Sequence, residues 1–216
     1  LRYGGEAEYT AWWKGKLAWS SPTVQKAAKK FAEVALTPGN VNGGGKAIAA
    51  TGFGATANLF ATDKNKCFMM RQGSFITDFF PDAVKAEYKA NNFTRVGVFK
   101  LPAPAGTTDA VLGGGDLAAA FDANPATQKV LNFILSDKLG TGAMLATYPS
   151  YLSAHKTFPS AGYKNPITKN IAGILSTAKL FGFDGSDLAP AVVNATEWTE
   201  LTNWIAGKKT QKQAFD

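Results

Sequence analysis

Apolar residues recur at three- and four-residue intervals in several stretches, and each stretch is bracketed by residues that start or stop helices. Residues 1–20 carry Tyr3, Tyr9, Trp12, Trp13 and Trp19 and read as a helix with its connection. Ser20-Ser21-Pro22 then offers a capping serine with proline at the first helical position, followed by Val24, Ala27, Ala28, Phe31, Val34 and Ala35 at helical spacing. That helix should end before Thr37-Pro38-Gly39. The Gly- and Ala-rich stretch 39–56 reads as a loop leading into a small-residue helix. Two short apolar runs, Cys67-Phe68-Met69-Met70 and Arg95-Val96-Gly97-Val98-Phe99-Lys100, fit buried parallel strands. Between them Ala83, Val84, Ala86, Tyr88 and Ala90 predict a short helix over Asp82–Asn91.

Leu112-Gly113-Gly114-Gly115-Asp116, the apolar Leu117–Phe121 and the helix start Asn124-Pro125 predict a strand–turn–helix unit. Residues 140–166 show no sustained period and read as an extended surface loop. Further helices are expected around Ile167, Ile171, Ile174, Leu175 and Ala178, and around Trp198, Leu201 and Ile205. The second of these ends at Gly207, and Thr210 is placed to cap a last helix. Helices alternating with short apolar strands predict an α/β protein.

A chain of 216 residues with 45% hydrophobic composition can bury one large core or two small ones. Its 18% charged residues do not fit a disordered tail or a coiled coil. The net charge of +7 is spread thinly, and its densest cluster, Lys208-Lys209 with Lys212, sits near the carboxy terminus. A solvated surface explains it better than a nucleic-acid partner, because no aromatic and Arg residues alternate as a base-stacking platform. Cys67 is the single cysteine, so no internal disulfide or cysteine-based metal cluster can form, and no cofactor is expected. No run approaches the ~20 apolar residues of a membrane span, and Leu1–Gly5 lacks a signal-peptide layout. If the protein is exported, its signal is expected to lie outside this chain.

Candidate chemistry narrows the choice. The glycine-rich Gly39–Lys46 fails as a phosphate loop: Asn40 stands where a first glycine is needed, and Ala47 replaces the metal-binding hydroxyl. His155 is the only histidine and lies in a Pro/Tyr-rich stretch, which suits a surface loop better than a nucleophile's base. Asp116, Asp184 and Asp187 could converge as glycosidase carboxylates, although Asp184 and Asp187 also flank Gly185-Ser186 as turn and capping residues do. Gly113-Gly114-Gly115-Asp116, at the mouth of a strand, suits either close approach by a ligand or a plain turn. Five tryptophans, six tyrosines and 15 phenylalanines exceed the needs of one small core. Aromatic planes stack on the apolar faces of sugar rings while Asp, Asn, Gln and Arg bind the hydroxyls, so this excess suits carbohydrate.

Four segments in order, Lys66–Ile76, Gly113–Phe121 with the Asn124–Ser136 helix, Phe183–Pro190 and Trp198–Gly207, resemble successive landmarks of carbohydrate ABC-transporter solute-binding proteins, the group similar to maltose-binding protein. The resemblance covers nearly the whole chain. It implies a type II periplasmic-binding-protein-like α/β fold with two lobes that close on a sugar, a location outside the cytoplasm, and ABC permease subunits as partners. Residues 1–105 would form the first part of the second lobe, 106–137 a crossing segment with a first-lobe strand and helix, and 138–216 the rest of the second lobe. Family members are considerably longer, so this chain would be the carboxy-terminal portion, lacking most of the first lobe. A separate chain could supply that lobe, and Cys67 is either a former disulfide partner or a buried thiol.

Carried over by position, Arg71, Gln72, Ser74 and Phe75 follow a strand whose end faces the cleft, Gly114, Gly115 and Asp116 lie at a lobe crossing, and Trp198 matches a ring-stacking aromatic. The implied function is binding without catalysis. A glycoside-processing enzyme would instead need paired Asp carboxylates. An amino-acid- or peptide-binding member of the same fold would use Arg71 and Asp116 to clamp charged ligand ends.

Overall fold

The computed structural model describes residues 1–59, 67–90, 92, 94–139, 150–155 and 157–216. Lys66 and residues 140–149 of the expected loop lie outside that set. The described chain is a helix-rich α/β protein that divides into two compact units. Unit 1 holds Leu1–Thr56, Leu101–Gly114 and Ala178–Asp216; unit 2 holds Ala57–Lys100 and Gly115–Thr177.

Unit 1 is built on a parallel pair, β1 (Ala110–Gly113) and β2 (Leu180–Phe183), with Ala110 opposite Leu180 and Gly113 opposite Phe183. Four helices precede the pair: α1 (Gly5–Trp13), α2 (Pro22–Ala35), α3 (Gly44–Ala50) and the single turn α4 (Phe53–Thr56). Three follow it: the single turn α8 (Gly185–Leu188), α9 (Ala191–Ile205) and α10 (Gln211–Phe215). Pro22 at the first helical position starts α2, but the Ser21 side chain makes no capping bond and its Oγ is buried without a partner. Thr210 caps α10 as expected, in a reciprocal capping box with Gln213.

Aromatic side chains carry the packing of this unit. Trp19 and Trp204 each meet Phe215 edge-on, with ring centroids 5.3 and 5.4 Å apart, and Phe31 leans on Trp204 at 5.8 Å. Ala28, Trp204 and Phe215 are buried, with Val24, Ala32, Leu36, Leu201 and Ile205 packed around them. Arg2 anchors the chain leading to β1, its guanidinium donating to the carbonyls of Leu101, Pro102 and Ala110.

Unit 2 contains α5 (Asp82–Lys89), α6 (Pro125–Ile134) and α7 (Pro166–Ser176), with a 3-10 helix over Ser74–Phe79. Ala57, Ile76, Phe80 and Val84 form its core, joined by Met70 and Val96. A second node is polar and buried. The Asn165 side chain caps α7 by accepting from the Ile167 and Thr168 amides, and its Nδ2 donates to the Tyr88 carbonyl at 2.9 Å. Tyr88 and Thr168 hydroxyls bond at 2.9 Å, so the end of α5 is fixed to the start of α7.

Two expected strands do not form. Cys67–Met70 and Arg95–Lys100 are irregular, and Phe68 and Met69 are 88% and 75% exposed, so the apolar run at 67–70 is not a buried strand. Of the second run, Val96 alone packs on the core, while the Val98 carbonyl is used by the Asn170 side chain. Conversely, β2 was not expected; its four residues are too short for a periodic signal.

Because Trp204 joins three aromatic neighbours in a buried cluster, Trp204→Ala should cost about 3–5 kcal/mol in urea unfolding. Phe121→Ala, at a fully exposed ring, should stay within about 0.5 kcal/mol.

Candidate ligand-binding site

In a parallel α/β arrangement, backbone and helix starts gather at the carboxyl ends of the strands, which is where ligands tend to bind. In unit 1 that edge is defined by the Asp184 amide donating to the Gly113 carbonyl at 2.9 Å. Gly114 follows directly, and the Asp187 carboxylate approaches it, 3.9 Å from where a Cβ would stand. Tyr9 of α1 reaches the same edge and donates its hydroxyl to the Phe183 carbonyl at 2.6 Å. Burial pushes the Tyr9 phenol above its ordinary value.

Glycines let α1 come this close. A Cβ on Gly182 would stand 2.6 Å from Leu1 and 3.3 Å from Tyr9, and one on Gly185 would stand 2.6 Å from the Trp12 ring. Asp184 resolves to the capping role: its Oδ1 accepts from the Ser186 amide at 3.1 Å and the Ser186 hydroxyl at 2.8 Å. Asn194 of α9 donates to the Ser186 carbonyl at 2.8 Å and so fastens α9 to α8.

Trp198 stands on α9 with 66% of its surface exposed, unlike Trp204 on the same helix, which is 8% exposed. Its indole is not consumed by the core.

The remaining expected site residues belong to unit 2. Arg71 and Gln72 are exposed in an irregular segment, where the Gln72 side-chain carbonyl accepts from the Gly73 amide at 2.8 Å. Ser74 opens the 3-10 helix, and its carbonyl accepts from the Thr77 hydroxyl at 3.0 Å. Phe75, next along, is half exposed and lies against Gly73. These four form one continuous surface stretch. Gly115 and Asp116 are exposed where the chain enters unit 2, immediately after Gly114 ends its run in unit 1. His155 is a loop residue whose Nδ1 bonds the Thr157 hydroxyl at 2.8 Å, as its sequence context suggested.

Sequence reading passed over Glu197 on α9. It is half-buried, and burial first and the Asp184 charge second push its carboxyl up to about 7. The signal was available: Glu197, Leu201 and Trp204 share one helical face, so an acid stands on the stripe that packs inward. Among the described residues no group of three His, Cys, Asp or Glu side chains could hold a metal ion.

No family model and no solved structure matches the chain. It is 28% identical over 209 residues to the osmoprotective compounds-binding protein GgtB of Synechocystis sp., a match covering 96% of this chain and 48% of that protein. It is 30% identical over 211 residues to the alpha-glucosides-binding periplasmic protein AglE of Rhizobium meliloti, covering 97% of this chain and 45% of that one. The chain thus spans about half the length of the curated relatives it matches. Its homologues are bacterial solute-binding proteins.

The glycines of the two strand edges predict opposite outcomes. Gly185→Ala drives a methyl into Trp12 and the Tyr9 hydroxyl and should cost about 1–3 kcal/mol by thermal or urea unfolding. Gly115→Ala meets nothing within 4 Å and should be silent to within about 0.5 kcal/mol.

Proposed function

We propose that this chain, homologous along nearly its whole length to bacterial solute-binding proteins, is part of the binding component of an ABC import system and takes a carbohydrate. The observation that carries the reading is the exposed Trp198 on α9, an aromatic plane left outside a unit that otherwise spends its tryptophans on packing. An indole in water costs hydrophobic free energy that a sugar face can recover. The names of both relatives support binding in place of catalysis, and one of them binds alpha-glucosides, which makes a glucoside the first ligand to try.

The finer reading is a type II periplasmic-binding-protein fold. Residues 1–105 and 138–216 contribute to its second lobe, and 106–137 form a crossing segment with a strand and helix of the first lobe. Arg71, Gln72, Ser74, Phe75 and Asp116 offer hydrogen bonds or contact to the ligand, and Gly114 and Gly115 admit it close to the backbone. The exposure of Arg71, Gln72 and Asp116 supports this, as does the passage of the chain from one unit to the other between Gly114 and Gly115. Delivery would be to ABC permease subunits, outside the cytoplasm, in the periplasm or lipid-anchored at the cell surface. AglE is named a periplasmic protein, and among the described residues no helix is long and apolar enough to cross a membrane. Both relatives carry the matched stretch within one longer polypeptide, which lends no support to a first lobe supplied by a separate chain.

Calorimetric titration with mono- and oligosaccharides, alpha-glucosides among them, tests the proposal. Saturable binding is expected, and Trp198→Ala should weaken it by about tenfold or more while leaving the thermal midpoint within about 2 °C. Absence of sugar binding, together with binding of another ligand class or turnover of a chromogenic glycoside, would overturn it.

A further inference from the structure

Two acids meet where the strands of unit 1 end. Asp184 begins α8 at the end of β2, and Glu197 comes to it from α9, one helical turn beyond the Asn194 that is bonded to α8. Tyr9 closes a third side from α1, near enough to feel both carboxylates. The space is tight, because a Cβ on Gly185 already meets Tyr9 and Trp12.

The other charged groups on the packed elements do not neutralise this pair. On α1, Glu8 points back toward Gly4 and α2; on α8, Asp187 adds a further negative charge beside Gly114. Glu200, the next acid on α9, is paired with Lys209 at 2.5 Å, and Lys212 of α10 pairs with Asp216. On α2, Lys30 is paired with Glu33 and Lys26 lies over the Tyr3 ring, while Lys29 is exposed. Lys46 of α3 is exposed. Among the described residues Glu197 therefore has no ion-pair partner.

We infer that Glu197 is a proton-operated latch on the face of unit 1 that carries Trp198: protonated, it rests against Asp184 and holds α9 on α8, and ionised, it pushes the two apart. Its bearing on ligand affinity rests on the reading of Trp198 above; the latch itself does not. The direction of the pH effect follows from the burial that holds the Glu197 carboxyl up at about 7. The folded chain keeps this proton in a range where the unfolded chain has released it, so the stabilisation is complete at acid pH. It is lost as pH rises from the ordinary carboxylate range through about 7.

Carboxyl-carbon NMR of the whole chain, labelled at glutamate, reads the latch without any ligand. One glutamate signal should titrate with a midpoint near 7 and vanish in Glu197→Gln. Asp184→Asn, which keeps a capping oxygen, should move that midpoint down toward the ordinary carboxylate range. Thermal unfolding between about pH 5.5 and about pH 8 should show a fall of several degrees in the wild type and a flatter profile in Glu197→Gln. A Glu197 signal that titrates in the ordinary range, or a Glu197→Gln profile as steep as that of the wild type, overturns the inference. Should Glu197→Gln fail to fold, the wild-type and Asp184→Asn titrations still decide it. Failure to bind sugar bears on the proposed function alone.

Discussion

Unit 1 depends on one pairing between segments about seventy residues apart, the four-residue parallel ladder of β1 and β2. Two short strands exposed to water on both faces would not hold. α1 covers them, with Tyr9 bonded to the Phe183 carbonyl and Trp12 pressed on Gly185, and the same helix opens the aromatic series that runs by Trp19 and Phe215 to Trp204. Removing a Cβ at Gly182 and Gly185 is what permits the approach. The strand edge and the hydrophobic core of this unit are thus one structure, and the face bearing Trp198 is held by it through the Asn194 bond to α8.

That arrangement explains which parts of the sequence were readable. Helices declared themselves wherever start and stop chemistry coincided with a three-to-four spacing: Pro22 before α2, Asn124-Pro125 before α6, Gly207 in a left-handed conformation after α9, and Thr210 before α10. Strands did not. Cys67–Met70 and Arg95–Lys100 have the composition of buried strands, but burial depends on partners distant in sequence, and their side chains largely face water. Leu180–Phe183 pairs because β1 and α1 are there to receive it, which no local pattern announces.

The candidate site divides in the same way. The weighing of Asp184 as acid or cap was settled by the Ser186 amide and hydroxyl, an outcome that the Asp-Gly-Ser sequence already favoured. Trp198 and Trp204 look alike in sequence, six residues apart on one helix, yet one is solvent-facing and the other is a core residue. Glu197 escaped notice because a single acid on a helix ordinarily faces water; its environment comes from Asp184 and Tyr9, which reach it from other segments.

The central claim is that the Trp198 indole is a working surface with a sugar ring as its partner. The indole N–H signals of the five tryptophans in a nitrogen-15 correlation spectrum report on it directly as an oligosaccharide series is added. A saturable shift at Trp198, with Trp204 unmoved, is the predicted result. No shift at Trp198 across the series, or shifts only at Trp204 and its buried neighbours, would contradict it.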